Sequence, residues 1–287
     1  MTINPITQSK TSIETSALQI NSLNAQNLAN FYQDVIGLTL IEATDTYYAL
    51  GTKDQKVLLE IFATTTQEAV KSTGLYHMAF LLPTKADLGT ILRFFIDNQV
   101  PLEGASNHGY SNALYLSDPE GNGIEIYWDK DQSEWDIKDG GQIAGIVEPM
   151  DAEDVLSVAR PKFDGMPNGT TMGHLHLHVG NLDETLSFYV DIMGLGFKYP
   201  MGGQAAFMAS GDYHHHLGAN LWKGTNLPAP VSIDQSGLRA SIWTANQKDF
   251  DFIVKNLTDH KIDFDQNETS LTFNDNSGLR VIVNLVK

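Results

Sequence analysis

The chain of 287 residues contains no cysteine. It therefore has no disulfide bond, no thiolate metal site and no cysteine nucleophile. Basic residues are also scarce: 18 Lys and Arg stand against 35 Asp and Glu, which gives a formal net charge of −17. Such a charge argues against nucleic acid and anionic membranes as partners, because both repel an acidic surface.

Long apolar runs are absent as well. No stretch approaches the roughly 20 apolar residues of a membrane span, and residues 1–10 are polar where a signal peptide has an apolar core. We therefore expect a cytoplasmic protein. The chain length and a hydrophobic fraction of 42% are sufficient for two domains, each with a core of its own.

What the chain does contain is an internal repeat. The residues Phe31-Tyr-Gln-Asp-Val-Ile-Gly-Leu38 recur 157 positions later as Phe188-Tyr-Val-Asp-Ile-Met-Gly-Leu195. In each copy an alternating strand precedes a segment with helical spacing of apolar residues, and a glycine suited to a C-terminal cap follows. The repeat predicts helices over 27–35 and 182–192, half a chain apart.

Each half also contains a second unit of the same kind, with helices predicted over 85–98 and 247–258. Between the halves, charged and small residues with three prolines predict a linker that contains a short helix over 152–158. We expect an α+β fold of four βαβββ modules. The predicted boundaries are 12–130 for a first domain (modules 1 and 2), 131–169 for the linker, and 170–287 for a second domain (modules 3 and 4).

The most distinctive stretch of the sequence runs from His108 to Glu125. Asp118, Pro119 and Gly121 supply turn chemistry between two strands predicted near 114–117 and 124–128. Tyr115 and Glu125 are equidistant from the centre of this turn. Symmetric pairing of the hairpin would therefore place a phenol and a carboxylate side by side on rigid strands.

This stretch closely resembles the signature of the extradiol ring-cleavage dioxygenases of the vicinal-oxygen-chelate superfamily. The matching residues are His108, Leu114, Tyr115, Asp118, Pro119, Gly121 and Glu125, and the one departure is Ser106. Four βαβββ modules are the hallmark of that superfamily, in which two modules close into an open, barrel-like cup around a metal. The sequence looks most similar to the bacterial two-domain catechol 2,3-dioxygenase group.

In that superfamily the metal ligands lie on the first and last strands of a module. Only His77, Glu125 and His174 provide two histidines and one carboxylate at those places. This set is typical of non-haem Fe(II) oxygenases, which keep one face of the ion open. The resemblance therefore implies Fe(II), with Mn(II) as a variant, a small aromatic diol and O2 as substrates, and possible assembly into homo-oligomers.

Two further histidines share the strand face of His174. Because a strand rises about 3.3 Å per residue, His176 lies roughly 6.6 Å along from His174 and cannot readily bind the same ion. We expect His176 and His178 to be hydrogen-bonded histidines or neighbours of the ligands, and not ligands themselves.

The ligand set leaves alternatives open. The set of His77, Glu125 and His174 requires modules 2 and 3 to pair with each other across the linker, and modules 1 and 4 to pair likewise. Pairing of the two modules within each half would instead favour a second set, Glu60, His77 and Glu125. The latter set resembles a Zn- or Ni-dependent glyoxalase-like isomerase, although Ala17 stands where a fourth ligand would be needed. A third hypothesis is a small-molecule binding protein of the resistance type, since fold alone does not decide function.

The resemblance also implies catalytic residues. Tyr115 would bond to a substrate hydroxyl, and His108 matches the pocket histidine of the family. For an acid–base histidine near the dioxygen site, the alignment on Ala219 favours His216, with His214 second on the same strand face, and the choice among residues 214–216 stays open.

Overall fold

Each of the four modules, called units one to four in chain order, begins with a strand that leads into a helix. The computed structural model describes residues 6–68 and 71–286. Unit one consists of β1 (Glu14–Ser22), α1 (Ala25–Asp34), β2 (Thr39–Ala43), β3 (Tyr47–Gly51) and β4 (Val57–Ala63). Unit two consists of β5 (Gly74–Leu81), α2 (Lys85–Asp97), β6 (Gly104–Asn107), β7 (Ser111–Ser117) and β8 (Gly123–Asp129).

The second half repeats this order after a connecting segment. That segment contains a 3-10 turn (Gln132–Glu134), β9 (Glu148–Pro149) and α3 (Ala152–Ser157), which agrees with the short helix predicted there. Unit three consists of β10 (Thr171–His178), α4 (Leu182–Asp191), β11 (Gly196–Met201), β12 (Ala205–Ala209) and β13 (Leu217–Asn220). Unit four consists of β14 (Gly237–Ala245), α5 (Gln247–Asp259), β15 (Phe264–Gln266), β16 (Ser270–Asn274) and β17 (Arg280–Leu285).

Local sequence sets the helix bounds. The helix of each unit follows an Asn or Thr whose side chain accepts a backbone N–H of the first turn, namely Asn24, Thr84, Asn181 and Asn246. The predicted start of α1 at Asn27 is two residues late, because Asn24 is the cap. Just beyond α1 and α4, Gly37 and Gly194 adopt φ values of +84° and +74°, a left-handed conformation that favours glycine.

The repeat extends to two buried Tyr–Asp pairs. Tyr32 Oη donates to Asp118 Oδ2 at 3.0 Å, and 157 residues later Tyr189 Oη donates to Asp275 Oδ2 at 3.0 Å. Both aspartates also accept two backbone N–H groups of their own turns. Each pair therefore ties the helix of an odd-numbered unit to the last turn of the unit that follows it.

The second of these pairs predicts a pH-dependent stability. Burial raises the pKa of Asp275 to about 6, although Leu279 N–H, Tyr189 and Ser277 N–H favour its charged form. The unfolded-state pKa is near 3.9, so stability from this group is highest below pH 4 and falls as the pH rises to 6. We expect Asp275→Asn to gain roughly 2–3 kcal/mol of unfolding free energy between pH 4 and pH 7 relative to wild type. Urea unfolding at both pH values measures this gain, and a pH-independent difference would contradict it.

The strands form two sheets, and each sheet joins units from both halves of the chain. One has eight strands in the order β15-β16-β17-β14-β1-β4-β3-β2, and the other has nine in the order β11-β12-β13-β10-β5-β8-β7-β6-β9. Units one and four share the first sheet, and units two and three share the second. This is the pairing that the ligand spacing requires.

Of the two module pairings that the sequence left open, the sheets therefore adopt 2 with 3 and 1 with 4. The cause is the pairing of the first strands: β1 lies antiparallel to β14, and β10 lies antiparallel to β5. The boundaries 12–130, 131–169 and 170–287 follow the order of the chain and remain a prediction for its domains. Among the helices described, none is long and apolar enough to cross a membrane.

Candidate metal centre and its cavity

The three predicted ligands lie on adjacent strands at the middle of the nine-stranded sheet. Glu125 on β8 and His174 on β10 both pair with Ala79 of β5, so the three residues form one row. His77 lies two residues before Ala79 and points to the same face. Because Ala79 carries only a methyl group, the space between the three larger side chains stays open.

The ligand atoms of these side chains converge. One atom from each of His77, Glu125 and His174 lies within 4.8 Å of the other two. His174 Nε2 is 3.2 Å from Glu125 Oε2, and His77 Nε2 is 3.3 Å from the same oxygen. All three residues are at most 7% exposed. Two imidazoles and one carboxylate therefore point at a common centre that is shielded from bulk water.

The charges of the cluster suit a cation. Burial lowers the pKa of His77 to about 3, against the opposing effect of Glu125, so the imidazole is neutral. Burial alone would raise the pKa of Glu125, but His174 and His77 hold it well below its ordinary value. Neutral imidazoles and an ionised carboxylate are the protonation states that a metal requires of its ligands.

The cluster also contains a buried nitrogen without a partner. His77 Nε2 is close to Glu125 but is not aligned for a hydrogen bond, and it has no other partner among the residues that the structure describes. Such a buried polar atom is costly unless something binds it. The residues present therefore fit a divalent cation held by three protein ligands. Glu60 cannot join them, because it lies in the other sheet and accepts from Gln19 Nε2 and Tyr47 Oη.

Tyr115 lies directly beside this centre. It pairs with Glu125 across the β7–β8 hairpin, as the symmetric turn predicts. Its Oη is 2.6 Å from His108 Nε2, and His108 Nδ1 is 3.0 Å from the carbonyl oxygen of Ile146. A carbonyl only accepts, so Nδ1 carries the hydrogen of the neutral ring and Tyr115 donates to Nε2. Burial and the Glu125 carboxylate raise the pKa of Tyr115 well above its ordinary value.

The side chains of His214, His215 and His216 lie in three different surroundings. His215 lines the same cavity as His77, Tyr115 and Glu125, and its ring centroid is 4.1 Å from that of His174. His216 lines a different cleft of about 630 Å³, and its Nδ1 accepts the backbone N–H of Ser210. His214 is buried behind His215 and contacts Asp129.

Of the three histidines, His215 rather than the favoured His216 therefore lies beside the candidate centre, and the choice of a catalytic residue among them stays a prediction. Strand alternation places His214 and His216 on the face of Gly218 and Asn220, but β13 begins only at Leu217. The preceding residues form an irregular segment, so the alternation does not extend to them. Asp129 was also missed, although a signal was present: it lies four residues after Glu125 on β8 and thus on the same face.

The cavity above the centre is small and mainly apolar. Its volume is about 240 Å³, below the roughly 300–1,000 Å³ of drug-sized sites. Phe207 and Met201 form part of its wall. At its mouth lie the partly exposed side chains of Tyr76, Ile146, Val147 and Trp222. The site thus suits a compact ring whose substituent reaches the mouth.

The other two histidines of β10 differ in their contacts. His178 Nδ1 is 2.7 Å from Asn220 Oδ1, which confirms the hydrogen bond expected of it. His176 lines the cavity, and its Nε2 is buried without a hydrogen-bond partner in the described part of the chain. Gly218 is required beside it, because a Cβ at that position would lie 2.8 Å from the His176 ring.

Comparison with known proteins agrees with the fold. Residues 17–126 match the family described as the glyoxalase/bleomycin resistance protein/dioxygenase superfamily. The chain is 34% identical over 271 residues to a catechol-2,3-dioxygenase of Bacillus subtilis, covering 92% of this chain and 94% of that protein. The chain belongs to this superfamily.

Solved structures of the superfamily share the fold. A putative dioxygenase from Bacillus subtilis superposes with a TM-score of 0.65 at 15% identity, covering 96% of this chain and 86% of that one. Glyoxalase I from Zea mays superposes with a TM-score of 0.59 at 11% identity, covering 95% and 92%. Within the superfamily, the enzyme class that the 34% identity supports is the extradiol dioxygenases.

Proposed function

We propose that this protein is an Fe(II)-dependent extradiol dioxygenase that opens a catechol-type ring beside its diol and inserts both atoms of O2. The observation that carries the proposal is the convergence of His77, Glu125 and His174 at the base of a cavity that also contains Tyr115. The 34% identity to a catechol-2,3-dioxygenase over 92% of the chain supports it.

The metal would be held by His77 Nε2, His174 Nε2 and Glu125 Oε2. Fe(II) with two neutral imidazoles and one carboxylate keeps a net positive charge, which would attract the diol as its anion and supply electrons to O2. Within the described residues no fourth acid or histidine joins the cluster. This leaves room for substrates on the open side and distinguishes the site from one closed by a fourth protein ligand.

Tyr115 and His108 would receive a proton from the diol. The Tyr115 oxygen donates its own hydrogen to His108 Nε2, so a lone pair remains to accept a substrate O–H. Transfer of that proton to Tyr115 would move the phenol hydrogen onto His108, whose Nδ1–H stays bonded to Ile146. The pair thus ionises a hydroxyl without leaving a phenolate beside Glu125.

His215 would act on the side of the substrate ring that is opposite Tyr115. Tyr115 lies beside His77, with ring centroids 6.0 Å apart, whereas His215 lies beside His174. A proton-transfer group therefore stands on each side of the centre. Burial lowers the pKa of His215 well below its ordinary value, so its ring is neutral and can accept a proton before returning it.

The cavity favours diols without a further charge. No lysine or arginine is among the described residues that line it, and a carboxylate substituent of the diol, desolvated there, would have no cationic side chain to pair with. The nearby Lys223 is already engaged by Glu68 at 3.2 Å. We therefore propose catechol and its uncharged derivatives as the substrate class.

The test is to load the purified protein with metal anaerobically and to follow O2 uptake with catechol and with 3,4-dihydroxybenzoate. We expect about one iron per chain, a yellow ring-opened product, and a kcat/KM for catechol at least ~10-fold above that for the acid, which is about 1.4 kcal/mol. Retention of zinc or nickel without O2 uptake would instead indicate an isomerase. Failure to retain any metal would leave a binding protein.

A further inference from the structure

We infer that Asp129 and His214 are positioning residues that fix the His215 ring and determine which of its nitrogens faces the cavity. The inference rests on the proposed function for its catalytic meaning, but its structural content can be tested alone. Neither residue lines the cavity, so each would act only through His215.

The three residues form a continuous chain of hydrogen bonds. His214 Nε2 is 2.9 Å from Asp129 Oδ1, and His214 Nδ1 is 2.8 Å from His215 Nδ1. The other oxygen of Asp129 accepts from Tyr213 Oη at 2.8 Å, and Tyr213 Oη is 2.7 Å from Tyr127 Oη. Asp129 is therefore held by two partners and cannot easily turn away from His214.

The direction of each hydrogen bond in this chain follows from the carboxylate of Asp129. A carboxylate only accepts, so the hydrogen of a neutral His214 ring lies on Nε2. Its Nδ1 then has a lone pair and no hydrogen, and the close contact with His215 Nδ1 requires a hydrogen on the latter. The neutral His215 ring is left with an unprotonated Nε2, which is the nitrogen available to the cavity.

Packing prevents the His214 ring, which lies between Asp129 and His215 in this chain, from turning. His214 is 2% exposed. It stacks on Tyr110 with centroids 4.2 Å apart and planes at 13°, and Trp135 packs at 5.3 Å. A ring held between aromatic side chains keeps both of its nitrogens aligned with their partners. His215 is thereby presented as a proton acceptor in one fixed orientation, as a catalytic group requires.

Three variants separate positioning from mere support of the fold. His214→Phe keeps an aromatic ring on Tyr110 but removes both nitrogens. His214→Gln restores an amide oxygen that can accept from His215. Asp129→Asn keeps the shape and can donate to His214 Nε2, which would reverse the hydrogens along the chain. His260→Phe, at an exposed histidine after α5, is the matched control.

We expect His214→Phe and Asp129→Asn to lower kcat by about 10–100-fold, by analogy with loss of the partner of a metal-bound histidine, with KM for catechol and iron content unchanged. His214→Gln should recover most of this loss, and His260→Phe should match wild type. A His214→Phe enzyme with wild-type kcat would overturn the inference, as would a loss of kcat that merely parallels a loss of iron.

A second readout does not depend on activity. In 15N NMR of the full-length, metal-free protein, the His215 ring should carry its hydrogen on Nδ1, with assignment by comparison with His215→Gln. Asp129→Asn should shift it towards Nε2. A wild-type ring protonated on Nε2 would overturn the inference even if the enzyme is active. If no diol is opened, the proposed function fails and the NMR result still decides the hydrogen-bond order.

Discussion

Replacement of His174 by alanine is expected to abolish iron retention and ring cleavage together. The loss should exceed the ~10–100-fold that follows removal of a ligand's partner, because a ligand itself is lost. Two protein ligands would remain, and the buried Glu125 carboxylate would lose a partner at 3.2 Å. Iron content after anaerobic loading, together with O2 uptake on catechol, measures both losses.

The same strand supplies a matched control. His178 lies four residues after His174 on β10, on the same face, but bonds to Asn220 and lies outside the metal cluster. His178→Ala should keep iron near one per chain and most of the activity. Thermal unfolding of both variants shows whether they are folded. A folded His174→Ala protein that binds iron and opens catechol would disprove the proposed ligand set.

The second large effect is a loss of kcat that is expected at His215 but not at its neighbour His216. His215→Gln should lower kcat by about 10²–10⁴-fold, the usual contribution of a positioned acid–base group, while iron is retained. His216→Gln should change kcat by no more than a few-fold, because His216 lines a different cleft and bonds to the Ser210 backbone.

Steady-state kinetics of the two variants under identical iron loading makes this comparison. Since both residues are buried, denaturant unfolding is needed to show that neither result comes from loss of structure. Equal losses of kcat in two folded variants would indicate that proximity to the centre alone is responsible. A larger loss at His216 would restore the original alignment on Ala219.

Much of this site could be predicted because it lies on regular strands. The resemblance to the superfamily implies His77, Glu125 and His174 as ligands, and alternation along β5, β8 and β10 keeps each of them on one face of its strand. A symmetric turn is enough to pair Tyr115 with Glu125. The ligand spacing also demanded that modules 2 and 3 pair, as they do. Regular geometry transmits a pattern in the sequence directly to positions in space.

The rest depended on irregular backbone and on partners distant in sequence. His215 could not be distinguished from His216 because the segment before Leu217 does not follow a strand. The contact of His214 with Asp129 joins residues 85 positions apart, so the alternation that puts Asp129 on the face of Glu125 does not reveal its partner. Ile146 reaches His108 from the connecting segment, where the sequence shows no periodicity.

The pairing of units across the connecting segment has a consequence for synthesis of the chain. A nascent protein that ends before β10 contains His77 and Glu125 but not His174, so it lacks one of the three proposed ligands. The eight-stranded sheet closes later still, since β1 must wait for β14. Such non-local pairing slows folding. Capture of a metal by the three proposed ligands would therefore be a late event, which follows emergence of the third unit from the ribosome.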